Sequence, residues 1–168
     1  MIGLTTKPLL VLATAALSLA VYGASTAERP EGSTCDLAAL GRAVAVDTAA
    51  LHKAKVNFPW EESTEGASMT AFTDAKEVRV LVLSFFGERG RVVSAYYLTP
   101  TGDFVLVQEA MRYALPIDAE LPPKIVSRLP AVAYYCGGAP QNALPDSDVV
   151  SAKGTLDSAL AVFRRSGH

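Results

Sequence analysis

Three runs decide the fold: EVRVLVLSFF (Glu77–Phe86), RVVSAYYL (Arg91–Leu98) and FVLVQEAMRY (Phe104–Tyr113). Each is rich in Val, Leu, Phe and Tyr, the residues that suit a pleated, half-buried surface. Gly87-Glu88-Arg89-Gly90 separates the first two, and Thr99-Pro100-Thr101-Gly102-Asp103 separates the second and third. Short Gly- and Pro-containing connections between such runs mean hairpins, so the centre of the chain reads as an antiparallel meander. A fourth run, Ala131–Cys136, follows a proline-punctuated stretch (Pro116, Pro122, Pro123, Pro130) and is expected to pair with an edge.

Alternation within these strands carries further information. Val78, Val80 and Val82 point one way, while Leu81, Leu83 and Phe85 point the other. In the next strand Val93 and Tyr97 oppose Val92, Tyr96 and Leu98. The sheet is therefore apolar on both faces, whereas one with a wet face alternates apolar and polar. Both faces need a cover: two helices, one on each side, the stretch Asn57–Lys76, or a partner such as a second copy of the chain.

Working outward, Ser33 or Thr34 suits an N-cap and Asp36 puts negative charge in a first turn. Leu37, Leu40, Val44, Thr48 and Leu51 recur at threes and fours, which predicts a helix running to about Lys53, ahead of Pro59. Asn57–Lys76 has no clean period and reads as a long ordered loop pinned by Phe58, Trp60, Met69 and Phe72. At the other end, Thr155 can cap a short helix with Leu156, Leu160 and Phe163 on one side. The fold class expected is α+β: an antiparallel sheet of about four strands with an N-terminal helix and a short C-terminal one.

Residues 1–27 read as a secretory signal peptide. Lys7 supplies the positive start, Leu9–Val21 is an apolar run of 13 residues, and Ser25-Thr26-Ala27 offers the small residues a signal peptidase accepts. That run is shorter than the roughly 20 residues a membrane span needs, so no membrane insertion is expected after cleavage. Removing 27 of the 168 residues leaves a single domain of 141, residues 28–168, secreted or periplasmic. One lysine and no acid leave with the signal, moving the formal net charge from −2 to −3 and giving no reason to expect nucleic acid as a partner. Cys35 and Cys136 are the two cysteines, and in an oxidising compartment they are expected to form a disulfide. It would close a loop of about 100 residues, worth roughly 4.7 kcal/mol in the chain-entropy model.

Chemistry is sparse. Of two histidines, His168 is the last residue and His52 falls beside Lys53, where a solvated cation is the ordinary role. Gly66-Ala67-Ser68-Met69-Thr70 lacks the second glycine of a nucleophile elbow, and there is no phosphate-binding glycine loop. No histidine pair or cysteine cluster suggests a zinc or copper site, and Asp146-Ser147-Asp148 lacks the rest of a calcium loop, so neither metal nor cofactor is expected. Glu61, Glu62 and Glu65 could supply a carboxylate pair, the basis of an alternative reading as a small hydrolase.

What remains is aromatic. Tyr96-Tyr97 and Tyr134-Tyr135 each send one ring to either face of the sheet. Tyr97 and Tyr135, joined by Trp60 from the loop, are the ligand-binding candidates, because tyrosine offers rigid contact area with a polar tip. The leading expectation is a non-catalytic interaction module that recognises a protein or an envelope polymer through a sheet face. A structural homo-oligomer is the third reading.

Overall fold

A computed structural model describes residues 35–58, 65–75, 77–116, 123–142 and 149–167. The region read as a signal peptide and Trp60 both lie outside these residues. The described residues belong to one compact unit spanning Gly32–His168. They form α1 (Leu37–Val44), a 3-10 turn (Thr48–Ala50), β1 (His52–Asn57), β2 (Ala67–Asp74), β3 (Glu77–Gly87), β4 (Gly90–Leu98), β5 (Phe104–Tyr113), β6 (Ile125–Cys136), β7 (Ala139–Pro140) and α2 (Val149–Arg165). The class is α+β as expected, but the antiparallel sheet has seven strands rather than about four, in the order β1 to β7.

Two of the additional strands lie where a helix end and a loop were expected. α1 stops at Val44, because Asp47 caps a new turn by accepting the Ala49 N–H at 3.0 Å. Beyond it, His52-Lys53-Ala54-Lys55-Val56 alternates cleanly: Ala54 is buried while Lys53 and Lys55 are exposed. β2 occupies the later part of the supposed loop, burying Met69, Ala71 and Thr73 at a period of two. The fourth predicted run starts earlier than expected, at Ile125, and pairs along β5. The closing helix likewise starts at Val149, so Thr155 is a buried interior residue of α2 and not its cap.

Register sorts the sheet into rows. Ala54, Ala71, Leu81, Tyr96, Leu106 and Ala133 stand opposite one another across six strands on one face. These six share a single buried cluster with Ala152, Leu156, Ala159 and Phe163, which recur at helical spacing along α2. Phe104 anchors the same face, stacked on Tyr135 at 4.4 Å between ring centroids and tilted against Tyr96 at 5.7 Å. The one polar pair in the next row, Ser94 and Gln108, is satisfied internally: Gln108 Nε2 donates to Ser94 Oγ at 3.1 Å.

The opposite face carries the row Lys53, Phe72, Val80, Tyr97, Val105 and Tyr134. Leu40 of α1 packs here with Val105 and Cys136, against Tyr97, Val107, Val132 and Tyr134. Cys35, just before α1, is bonded to Cys136 at the end of β6, with Cα atoms 5.5 Å apart and 101 positions apart in sequence. The two helices therefore serve opposite faces of a doubly apolar sheet.

Turns and edges fix the frame. An ideal Cβ on Gly90 would come within 2.2 Å of the Met111 carbonyl oxygen, so only glycine fits the β4–β5 approach at that point. Between β2 and β3, Ala75 sits at φ +52°, the left-handed region where Gly or Asn is at ease. Asp103 Oδ1 accepts the Gly137 N–H at 2.9 Å, tying the β4–β5 turn to the β6–β7 turn. Past β7, Asn142 continues the strand's role with its side chain, accepting the Tyr134 N–H and donating to the Val132 carbonyl, both at 2.8 Å. Pro130 then faces the same edge without an N–H to offer. At the far edge the exposed Lys53 and Lys55 flank β1, a charge device that discourages pairing with another sheet.

Two substitutions test this frame by urea denaturation. Gly90→Val should cost about 2–3 kcal/mol through forced backbone displacement. Ala75→Asn should stabilise the protein by about 0.5–1 kcal/mol by relieving the left-handed alanine.

Candidate functional site

Strand alternation divides the tyrosines as the sequence requires, but it splits the two chosen as ligand contacts. Tyr97 lies on the α1 face, half-buried and in one row with Val105 and Tyr134. Tyr135 lies on the α2 face, 1 % exposed and stacked on Phe104. The structure therefore brings Tyr97 together with Tyr134, while Tyr135 belongs to the core. Burial pushes the Tyr96 hydroxyl well above its ordinary pKa of 10.0, with the neighbouring Tyr135 adding to the effect, and burial raises Tyr135 as well.

The remaining sequence candidates are dispersed. His52 opens β1 and is exposed, and Glu65 is exposed before β2. Asp74 closes β2, whose eight residues span roughly 23 Å at the usual rise per residue, while Glu65 precedes its other end. Glu61, Glu62, His168 and the Asp146-Ser147-Asp148 turn lie outside the described residues. Among the described residues there is no group of three acid, histidine or cysteine side chains able to hold a metal. Nor, among them, is any helix long and apolar enough to cross a membrane. The disulfide is consistent with an oxidising compartment.

The feature missed in the sequence is the outer surface of α1. Asp36 caps the helix by accepting the Ala39 N–H at 2.9 Å, and Leu40 and Ala43 face the sheet. Turned away from it, Leu37 is 69 % exposed and Val44, two turns on, is 42 % exposed. Ala38, Gly41 and Ala45 are exposed between and beside them, and Arg42 is the one charge within the helix. A helix that is apolar on every side is ordinarily a buried helix. α1 is covered on one side only among the described residues. The signal was present in LAALGRAV, where the expected polar face is missing.

A second group of exposed apolar side chains lies where β5 and β6 diverge: Leu115 (52 %), Val126 (59 %) and Leu129 (60 %). Unlike α1, this region is interspersed with charge. Arg112, Lys124 and Arg128 are exposed there, and Arg128 pairs with Glu109 at 3.1 Å.

Two measurements check the assignment of the tyrosines. Tyr135→Ala should cost about 3–5 kcal/mol, as expected for an aromatic removed from a packed core. The folded state holds Tyr96 and Tyr135 neutral beyond the point where the unfolded chain ionises. That stability is fully present below pH 10.0 and is lost as pH rises further. Alkaline titration followed by near-ultraviolet circular dichroism should show unfolding beginning above that pH, delayed in Tyr96→Phe. Comparison of the chain with protein-family models, with characterised proteins and with solved structures returned no match.

Proposed function

We propose that this protein is a non-catalytic interaction module of an extracytoplasmic compartment, and that α1 is its docking element. The observation that carries the reading is the apolar surface of Leu37, Gly41 and Val44, uncovered among the described residues, on a helix that the disulfide fastens to the sheet. A fixed apolar ridge on a rigid support loses little conformational entropy on binding, which favours association. The chemistry of the ridge favours a protein over an envelope polymer. A polysaccharide needs hydrogen-bonding groups and stacked aromatics, and this surface offers aliphatic carbon with a single guanidinium. Tyr97, one of the three aromatic contacts expected from the sequence, and Tyr134 lie on the same face of the sheet and border the seat of α1 as its rim. Secretion follows from the signal-peptide reading of residues 1–27 and agrees with the disulfide.

The test is retention of proteins from an envelope extract by the immobilised, oxidised chain 28–168. Wild type should hold a stoichiometric partner. The double variant Leu37→Asp/Val44→Asp should lose it, both side chains being exposed enough to leave the fold intact. Leu129→Asp, at the other apolar group, should retain it. Equal retention by wild type and the α1 variant would overturn the assignment.

A further inference from the structure

We infer that the Cys35–Cys136 bond is a redox-sensitive clasp on α1 alone: its reduction releases α1 from the sheet while the sheet and α2 stay folded. The inference goes beyond the docking role proposed above and holds whatever α1 engages. Three features carry it. First, the two helices pack into separate clusters on opposite faces of the sheet. Leu40 of α1 meets Val105 and Cys136, with Tyr97 and Tyr134 at the rim. The cluster beneath α2 draws on β1 to β6 and takes no residue from α1. Release of α1 therefore removes no side chain from the main core.

Second, the segment held by the bond has little else to hold it. Leu40 and Ala43 are the buried residues of α1, and the turn Thr48–Ala50 buries none. An isolated helix needs roughly 12–15 residues to persist in water, and α1 has 8. The chain enters the main core only at Ala54 of β1. A segment with so few buried apolar contacts belongs to the low-stability end of a structure once its tether is gone.

Third, the other end of the bond stays in place without it. Tyr135 is stacked on Phe104 in the main core, Cys136 pairs with Ala139, and Asp103 Oδ1 accepts the Gly137 N–H. Cys136 thus remains where a returning Cys35 finds it, which makes the clasp reversible.

The exchange requires a thiol reductant. Cys136 is 2 % exposed and Cys35 is the more accessible partner. The incoming thiolate bonds to Cys35 Sγ, and the electron pair of the S–S bond leaves on Cys136 Sγ, which takes up a proton. A second thiolate of the reductant then attacks the reductant's own sulfur in the mixed disulfide. Cys35 leaves and is protonated, and the reductant departs as a disulfide.

Hydrogen exchange read by mass spectrometry tests this on the chain 28–168, oxidised and after reduction by dithiothreitol, with completeness checked by thiol alkylation. Reduction should speed exchange of the Leu40–Ala45 amides and tryptic cleavage after Arg42 by about tenfold or more, while β2 to β6 and α2 keep their protection. The melting temperature of that remaining core should fall, because the reduced unfolded chain is less constrained, yet the core stays folded at room temperature. Re-oxidation with glutathione disulfide should restore both readouts. Cys35→Ser/Cys136→Ser should match the reduced wild type and ignore dithiothreitol, which separates loss of the bond from other effects of the reductant. Loss of protection throughout the sheet on reduction would overturn the inference, since the bond would then hold the whole fold. Undiminished protection of α1 after complete reduction would overturn it equally, α1 then standing by its own packing. Partner retention is read on the oxidised chain, so failure of the docking role leaves this result untouched.

Discussion

The structure depends on the seating of α2 against the row Ala54, Ala71, Leu81, Tyr96, Leu106 and Ala133. A sheet that is apolar on both faces cannot stand in water, and this helix resolves the larger of the two. Its stripe of Ala152, Leu156, Ala159 and Phe163 reaches a cluster that draws on every strand from β1 to β6. Small side chains at the outer strands (Ala54, Ala71, Ala133) and larger ones at the centre (Leu81, Tyr96, Leu106) give that surface its relief. The sheet is built in sequence order, so hairpins hold neighbouring strands together, and α2 is what ties the first strand to the sixth.

The opposite face is solved differently. α1 has 8 residues, too few for a helix to persist on its own. It is held by the Asp36 cap, by Leu40 in a small cluster separate from the main core, and by the Cys35–Cys136 bond. The division of labour is physical. The large core stabilises the sheet and α2, whereas a covalent link compensates for the little area that α1 can bury. Among the described residues that arrangement leaves the outer side of α1 without packing duty.

The parts of this architecture legible in the sequence were those with strong local signals. Gly87 and Gly90 marked a hairpin, and the structure pairs them directly. The valine, leucine and aromatic runs of β3 to β5 announced themselves, as did the lone cysteine pair. β1 and β2 were hidden because their residues are unremarkable strand formers. HKAKVN and ASMTAFTD bury alanine, methionine and threonine, and Leu37, Leu40, Val44, Thr48 and Leu51 offered a competing helical period. That period failed at Asp47, whose side chain caps a turn of its own. Of the candidate site, the opposed tyrosine pairs were legible but not which member is buried. Position relative to α2, a long-range property, decides that. The bare face of α1 was visible as a missing polar stripe and was masked by the longer helix assumed around it.

The sequential order of the strands has a consequence for how the chain acquires its shape. Each pairing joins segments consecutive in sequence, none separated by more than 11 residues, so little loop entropy stands between the unfolded chain and a nascent sheet. Such wiring lets the strands zip progressively from any hairpin. Two closures are long-range: α2 must join the core that the strands build, and the thiols at positions 35 and 136 must be oxidised. A chain delivered across a membrane from its N-terminus would present Cys35 early and Cys136 only after nearly all of the sheet. The covalent clasp on α1 therefore waits for Cys136, the last residue of β6.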